Sequence, residues 1–155
     1  MSLLPFVSIG IPVYNGEDFI CQAIDSVVTQ DYPNIELVIS DNASTDNTQS
    51  ICEEYAAKYP QIKYYRQPIN QGMIANFNNS LELAQGDFFC WLSHDDFLSP
   101  TYISKCLDLL NLYPQAIACC SEINFVNYDG TNREGWTKAY TNFDALNKDV
   151  VARVH

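Results

Sequence analysis

The sequence predicts an α/β fold, a mainly parallel central sheet with helices on both faces. Two observations carry that expectation. Short apolar runs alternate with segments of helical periodicity along the chain. Three polar segments, Tyr14-Asn15-Gly16, Asp41-Asn42 and Asp95-Asp96, each directly follow such an apolar run. In open parallel sheets ligands bind beyond the carboxyl ends of the strands, near a switch in strand order, so the pattern that predicts the fold also groups these segments.

Phe6 to Val13 reads as a short strand, with Pro12 at its end because proline removes a ladder donor. Ile20, Ala23, Ile24, Val27 and Val28 recur at helical spacing, with Glu17 and Asp18 in the first turn. Asp31-Tyr32-Pro33-Asn34 breaks the chain before a second strand, Ile35 to Ser40. The polar loop Asp41 to Asn47 leads into a helix with Ile51, Cys52, Tyr55 and Tyr59 on one face, and its tail can cap that helix. Ile62 to Arg66 is a third strand. Beyond Asn70-Gln71-Gly72 the spacing predicts a helix with the stripe Ile74, Phe77, Leu81, Ala84, and Gly86 stands just past its end. Asp87 to His94 reads as a buried strand, with Trp91 in the core. Ser99 and Pro100 form an N-cap and first-turn pair for a helix with Ile103, Cys106, Leu107 and Leu110 inward. Ala116 to Val126 reads as a further strand and Tyr128-Asp129-Gly130 as a hairpin turn; no element is assigned after Asn132.

The 155 residues, 47% of them hydrophobic, are expected to form one domain with a substantial core. No apolar run reaches the roughly 18 residues of a membrane span, and the start of the chain lacks the basic region of a secretory signal. Nineteen acidic residues against eight basic ones give a formal net charge of −11. That balance argues against nucleic acid and against a basic membrane-binding face, and it admits anionic ligands where a metal mediates. The six cysteines show no C-x-x-C spacing and read as small core residues in a reducing compartment rather than a zinc site.

Asp95 and Asp96 are the most informative pair. Adjacent carboxylates repel, and so acidic a chain does little to relieve them. A divalent cation would, and a cation at a strand end suits a phosphate-bearing ligand. His94 reads as a structural neighbour of the pair rather than a ligand, and Ser44 and Asp46 as turn and cap residues.

In this order and spacing the segments resemble the nucleotide-sugar-binding part of family 2 glycosyltransferases, which have the Rossmann-like GT-A fold. VSIGIPVYNGEDFICQAIDSVVTQDYPNIELVISDNASTDNT resembles that family's opening, and NQGMIANFNNSLELAQGDFFCWLSHDD its second signature. The likeness covers Val7 to Asp96 closely and Phe97 to about Gly130 loosely. It implies inverting transfer from a nucleoside-diphosphate sugar, UDP-linked, to a glycan or lipid-linked acceptor in polysaccharide or glycoconjugate synthesis. It further implies that Pro12 and Tyr14 line the base pocket, that Glu17 lies beside the base or ribose, and that Asp41 accepts a base N–H. Asp96 would be the direct ligand of Mn²⁺ or Mg²⁺, and Asp95 would reach the ribose, or the metal through water. The enzyme would be cytoplasmic, peripheral at the inner face of the membrane in its full-length form.

The chain departs from the family pattern in three ways. Ser93 replaces the first carboxylate of Asp-x-Asp-Asp. Asn76-Phe77-Asn78 stands where Ala-Arg-Asn is usual, and Asn78 keeps the matching nucleotide-binding place. The family's catalytic base lies well beyond the aspartates, and the chain is expected to end before it. The competing expectations are a fragment that binds donor without transfer, and a different phosphate-handling α/β domain. No Gly-rich phosphate loop or nucleophile motif supports the latter.

Overall fold

A computed structural model describes residues 4–121, 124–127, 131 and 133, and the backbone of 151–154. The chain forms two compact units, Met1–Pro100 and Thr101–His155. The first is built from β1 (Val7–Val13), α1 (Ile20–Val28), β2 (Ile35–Asp41), α2 (Thr48–Lys58), β3 (Ile62–Arg66), α3 (Met73–Glu82) and β4 (Phe88–Trp91). Its four strands are parallel in the order β3-β2-β1-β4. The order advances through β1, β2 and β3, then reverses to place β4 on the far side of β1. With right-handed crossovers, that reversal puts α3 on the face opposite α1 and α2.

The two faces of the sheet differ in chemistry. Side chains alternate along a strand. Val7, Ile9, Ile11, Val13, Leu37 and Ile39, all buried, point to one side. Ser8, Gly10, Glu36 and Ser40 point to the other, where α3 packs on β1 and β2. Ser40 Oγ donates to Asn76 Oδ1 at 2.7 Å, and a Cβ on Gly10 would lie 3.0 Å from Ser80 Oγ. Accordingly α3 buries Asn76 and Ser80, one turn apart, whereas Met73, Ile74 and Leu81 are exposed. This corrects the expected stripe: the helix is oriented by the polar layer beneath it, which leaves Ile74 and Leu81 exposed and Phe77 and Ala84 half-buried.

At the amino ends of the strands Glu36 is buried. Its Oε1 accepts from Ser8 Oγ and from Gln85 N at 2.6 Å, and its Oε2 pairs with Lys63 Nζ at 2.6 Å. Gly86 N donates to Ser8 Oγ at 2.7 Å, and a Cβ there would lie 2.6 Å from Ser8 N. Gly86 therefore permits close approach to β1, rather than ending α3 as expected; the C-cap is Leu83.

Pro12 lies within β1, past the register of β4, which pairs only with Val7 to Gly10. Gly10 O accepts from Leu92 N, so the amide side of Pro12 faces β4's edge beyond its last rung and the missing donor costs no ladder bond. Three further expectations change. Glu17 and Asp18 precede α1. The strand expected from Asp87 to His94 shortens to Phe88–Trp91, a half-exposed edge with Trp91 45% accessible. Of the cysteines, all free, Cys21 and Cys120 are exposed and only Cys52 and Cys106 are buried.

The second unit holds α4 (Tyr102–Leu112), β5 (Ala118–Ser121) and β6 (Val151–Val154). Thr101, not Ser99, is the N-cap of α4. The inward residues Ile103, Cys106 and Leu107 are buried as expected, whereas Leu110 is half-buried. β5 pairs with β6 in parallel, and α4 lies against both. Asn127 N donates to Thr131 O and Arg133 N to Phe125 O, each at 2.8 Å. Those bonds bracket the expected turn, whose residues 128–130 lie outside the described residues.

Gly86→Ala is expected to destabilise the fold by about 1–3 kcal/mol, because the added methyl meets backbone atoms that cannot rotate away; urea unfolding measures it. Burial by itself would raise the Glu36 carboxyl, but the Lys63 ammonium, the Ser8 hydroxyl and the Gln85 N–H hold it below its ordinary value of 4.5. A group depressed on folding contributes stability above its unfolded pKa and loses it as pH falls through the folded one. Unfolding midpoints of wild type should therefore drop as pH falls below 4.5, and Glu36→Gln should flatten that drop.

Candidate functional site

The site is assembled from the loops at the carboxyl ends of the strands. β2 ends on Asp41, which is fully buried. Its Oδ1 accepts from Ser44 N at 2.8 Å and from Ser44 Oγ at 2.6 Å. Its Oδ2 accepts from Tyr64 Oη at 2.6 Å and faces Arg66 Nε at 3.5 Å. Burial and the Asp41 carboxylate keep the Tyr64 hydroxyl protonated, well above its ordinary value of 10.0. Ser44 N on Asp41 Oδ1 closes an Asx-type turn that holds Ala43 in the left-handed region, φ 61°. Arg66 Nη2 also reaches Ser44 O at 2.8 Å, so β3 braces the same loop.

That loop in turn holds the turn after β1. Asn15 N donates to Ser44 Oγ at 2.9 Å, Gly16 N to Thr48 Oγ1 at 2.8 Å, and Glu17 N to Asp46 Oδ2 at 3.1 Å. In the other direction, Thr45 N donates to Asn15 Oδ1 at 2.8 Å and Asn47 N to Glu17 Oε2 at 2.9 Å. Asn76 Nδ2 donates to Val13 O at 3.2 Å, tying α3 to the end of β1. The side chain of Asn42 joins Asn70 and Gln71 N of the loop before α3.

Leu92 N on Gly10 O carries the chain from β4 into the turn Ser93 to Asp96, closed by Asp96 N on Ser93 O at 3.1 Å. The His94 ring lies against Gly16: a Cβ on Gly16 would meet its Cδ2 at 2.7 Å. The Ser93 hydroxyl beside Asp95 holds its carboxyl below the ordinary 3.8. Ser93 thus favours the ionised pair, although it brings no charge. Burial, then the neighbouring Asp95 charge, push Asp96 above 3.8.

The structure therefore gathers Pro12, Tyr14, Glu17 and Asp41 in one set of interlocked loops, and brings the Asp95-Asp96 turn against that set through His94 and Gly16. Tyr14, directly after β1, is 44% exposed. Asp41 is already engaged within the protein: Ser44 N, Ser44 Oγ and Tyr64 Oη donate to it, and the Arg66 guanidinium faces it at 3.5 Å. Asn78 is exposed on α3. Two helical positions turn about 200° around the axis, so exposed Asn78 points away while Asn76 meets the strand ends. Ser44 takes the turn role expected of it, whereas the sequence reading missed Thr48, Tyr64, Arg66 and Asn76. The signal available for Asn76 was its i, i+4 spacing from Ser80, which puts two small polar side chains on one face of the helix.

Asp95 and Asp96 are hard oxygen donors, and among the described residues no cluster of three or more His, Cys, Asp and Glu forms a closed metal cage. Two carboxylates with room left for phosphate oxygens and water match how Mg²⁺, and by the same donor chemistry Mn²⁺, is held together with a phosphate-bearing substrate. The residues fit such an ion.

The parallel four-stranded sheet flanked by helices, with polar loops at a strand-order switch, is of the GT-A fold class. The description "Glycosyl transferase family 2" matches residues 8–151, and the chain belongs to that family. It is 39% identical over 107 residues to an uncharacterized glycosyltransferase of Haemophilus influenzae, covering 69% of this chain and 43% of that one. It is 35% identical over 105 residues to a chondroitin synthase of Escherichia coli, covering 68% of this chain and 15% of that one. The chain thus spans less than half the length of these relatives. Among solved structures it is similar to S. aureus TarS 1-349 in complex with UDP-GlcNAc, with a TM-score of 0.73 and 26% identity, over 83% of this chain and 37% of that one. It is also similar to the mannosyltransferase PcManGT from Pyrobaculum calidifontis in complex with GDP-Man and Mn²⁺, with a TM-score of 0.71 and 25% identity, over 80% and 37%.

Asp41→Asn is expected to lower unfolding free energy by about 2–3 kcal/mol, since an amide nitrogen must face one of the donors that the carboxylate now accepts. Urea denaturation measures it.

Proposed function

We propose that residues 1–155 form the donor-binding domain of an inverting glycosyltransferase of hexosyl type, acting in polysaccharide or glycoconjugate synthesis. The donor is a nucleoside-diphosphate sugar, UDP-linked, and the acceptor a glycan or lipid-linked hydroxyl. The observation that carries this reading is the placement of the Tyr14 turn and the Asp95-Asp96 turn at the carboxyl ends of β1 and β4, on the two sides of the strand-order switch. The ligands of the related structures, UDP-GlcNAc in TarS and GDP-Man with Mn²⁺ in PcManGT, support it.

On this reading Tyr14 offers its exposed ring to the base beside Pro12, and Glu17 stands at the ribose edge. Asp41, held by Ser44, Tyr64 and Arg66, fixes the wall of the base pocket. Asp96 holds Mn²⁺ or Mg²⁺ directly, and Asp95 contacts the ribose or the ion through water. The bound ion supplies Lewis-acid stabilisation of the charge that develops on the departing diphosphate. The carboxylate that deprotonates the acceptor belongs to the acceptor-binding part of the longer enzyme. A second reading, donor binding without transfer by this chain alone, is favoured by the donor-side character of every residue grouped at the strand ends. Transfer from a UDP-sugar to a simple acceptor by the 155-residue chain would exclude it.

Among the described residues no helix is long and apolar enough to cross a membrane. We place the enzyme in the cytoplasm, peripheral at the inner membrane face in its full-length form; six free thiols suit a reducing compartment.

Calorimetric titration with UDP and GDP, with and without Mn²⁺, tests the proposal. Wild type should bind UDP more tightly with Mn²⁺ and prefer it to GDP, and Asp96→Ala should lose the gain from Mn²⁺. Equal UDP affinity for Asp96→Ala and wild type in Mn²⁺ would refute the metal assignment.

A further inference from the structure

The contact between His94 and Gly16 is not required by backbone conformation. Gly16 is not among the residues of positive φ, so any residue could adopt its backbone. What excludes a side chain is the space above it. A Cβ would lie 2.7 Å from His94 Cδ2, 3.3 Å from His94 Cγ and 2.6 Å from Val13 Cγ2. The imidazole is seated directly on the glycine, and both partners are anchored. Gly16 N is held by Thr48 Oγ1 at 2.8 Å, and Gly16 O accepts from Phe19 N and Ile20 N, where α1 begins. His94 sits within the turn that Asp96 N closes on Ser93 O, and its next residue is Asp95. Val13, against the same spot, is the last residue of β1 and is 1% exposed. A shift of the loop that carries Tyr14 and Glu17 must therefore move this ring, and the ring is covalently joined to the aspartates.

We propose that His94 is a positioning residue whose ring, seated on Gly16, fixes the Asp95-Asp96 turn relative to the loop after β1, so that nucleoside and metal-bound diphosphate are gripped as one unit. This inference rests on the donor-binding reading above and goes beyond it, because neither the base nor the metal need touch His94. The ring's shape does the work, not its charge. A flat uncharged ring should therefore replace it, and a flexible cation should not.

The test is calorimetric titration of the 155-residue chain with UDP and with uridine, each with and without Mn²⁺, alongside thermal unfolding. In His94→Ala the gain in UDP affinity from Mn²⁺ should shrink by about 10- to 100-fold, while uridine affinity stays at the wild-type level. His94→Phe should restore the gain and His94→Lys should not. A merely structural role would lower the melting temperature and weaken uridine and UDP together. The inference is overturned if His94→Ala keeps the full gain, or if His94→Lys restores it and His94→Phe does not. Wild type binding UDP with no gain from Mn²⁺ removes the donor reading itself, a result distinct from both.

Discussion

The carboxylate of Asp41 is the constraint on which the site depends. A fully buried anion is tolerated only when hydrogen-bonded and paired, because leaving it uncompensated costs several kcal/mol. Here Ser44, Tyr64 and Arg66 supply the compensation, and each comes from an element that must hold still to do so. One proton carries the order onward. Ser44 Oγ, with its hydrogen committed to Asp41, has a lone pair turned to Asn15 N. The loop after β2 thereby fixes the turn after β1, and that turn seats the ring preceding the aspartates. The buried charge thereby links the loop after β2 directly to the turn after β1, on which the His94 ring rests.

The sheet beneath is asymmetric for a related reason. Its α1 and α2 face is apolar and gains stability from burial. Its α3 face carries Ser8, Glu36 and Ser40, so the helix covering it must bring polar partners. α3 does so with Asn76, which bridges Ser40 and the last carbonyl of β1. Satisfying those groups outweighs burying Ile74 and Leu81, which remain exposed. The helix periodicity was legible in the sequence. Which of its faces is inward was not, because polar demand belongs to the partner strand.

The strands and helices of the first unit follow the order read from apolar runs and periodicity, and the segments Tyr14-Asn15-Gly16 and Asp41-Asn42 do converge. Asp41 and Asn78 show where such reading stops. The resemblance implied a base-accepting Asp41, but it could not show that Tyr64 and Arg66 of β3, more than 20 residues away, also meet this carboxylate. A motif match placed Asn78 at the ligand, yet helix geometry turns it outward. β4 read as a buried strand because its composition is apolar, whereas its exposure depends on lying at the edge of the described sheet.

The sequence by itself determined the alternation of elements, the parallel sheet, the polar segments at its carboxyl ends and the pair of adjacent aspartates. These are local or periodic properties, set by residue spacing. Only the tertiary structure decided the face of α3, the bracing of Asp41 by Tyr64 and Arg66, and the seat of His94 on Gly16. Each of these depends on which distant side chains share one small volume, and that is a property of packing rather than of spacing along the chain.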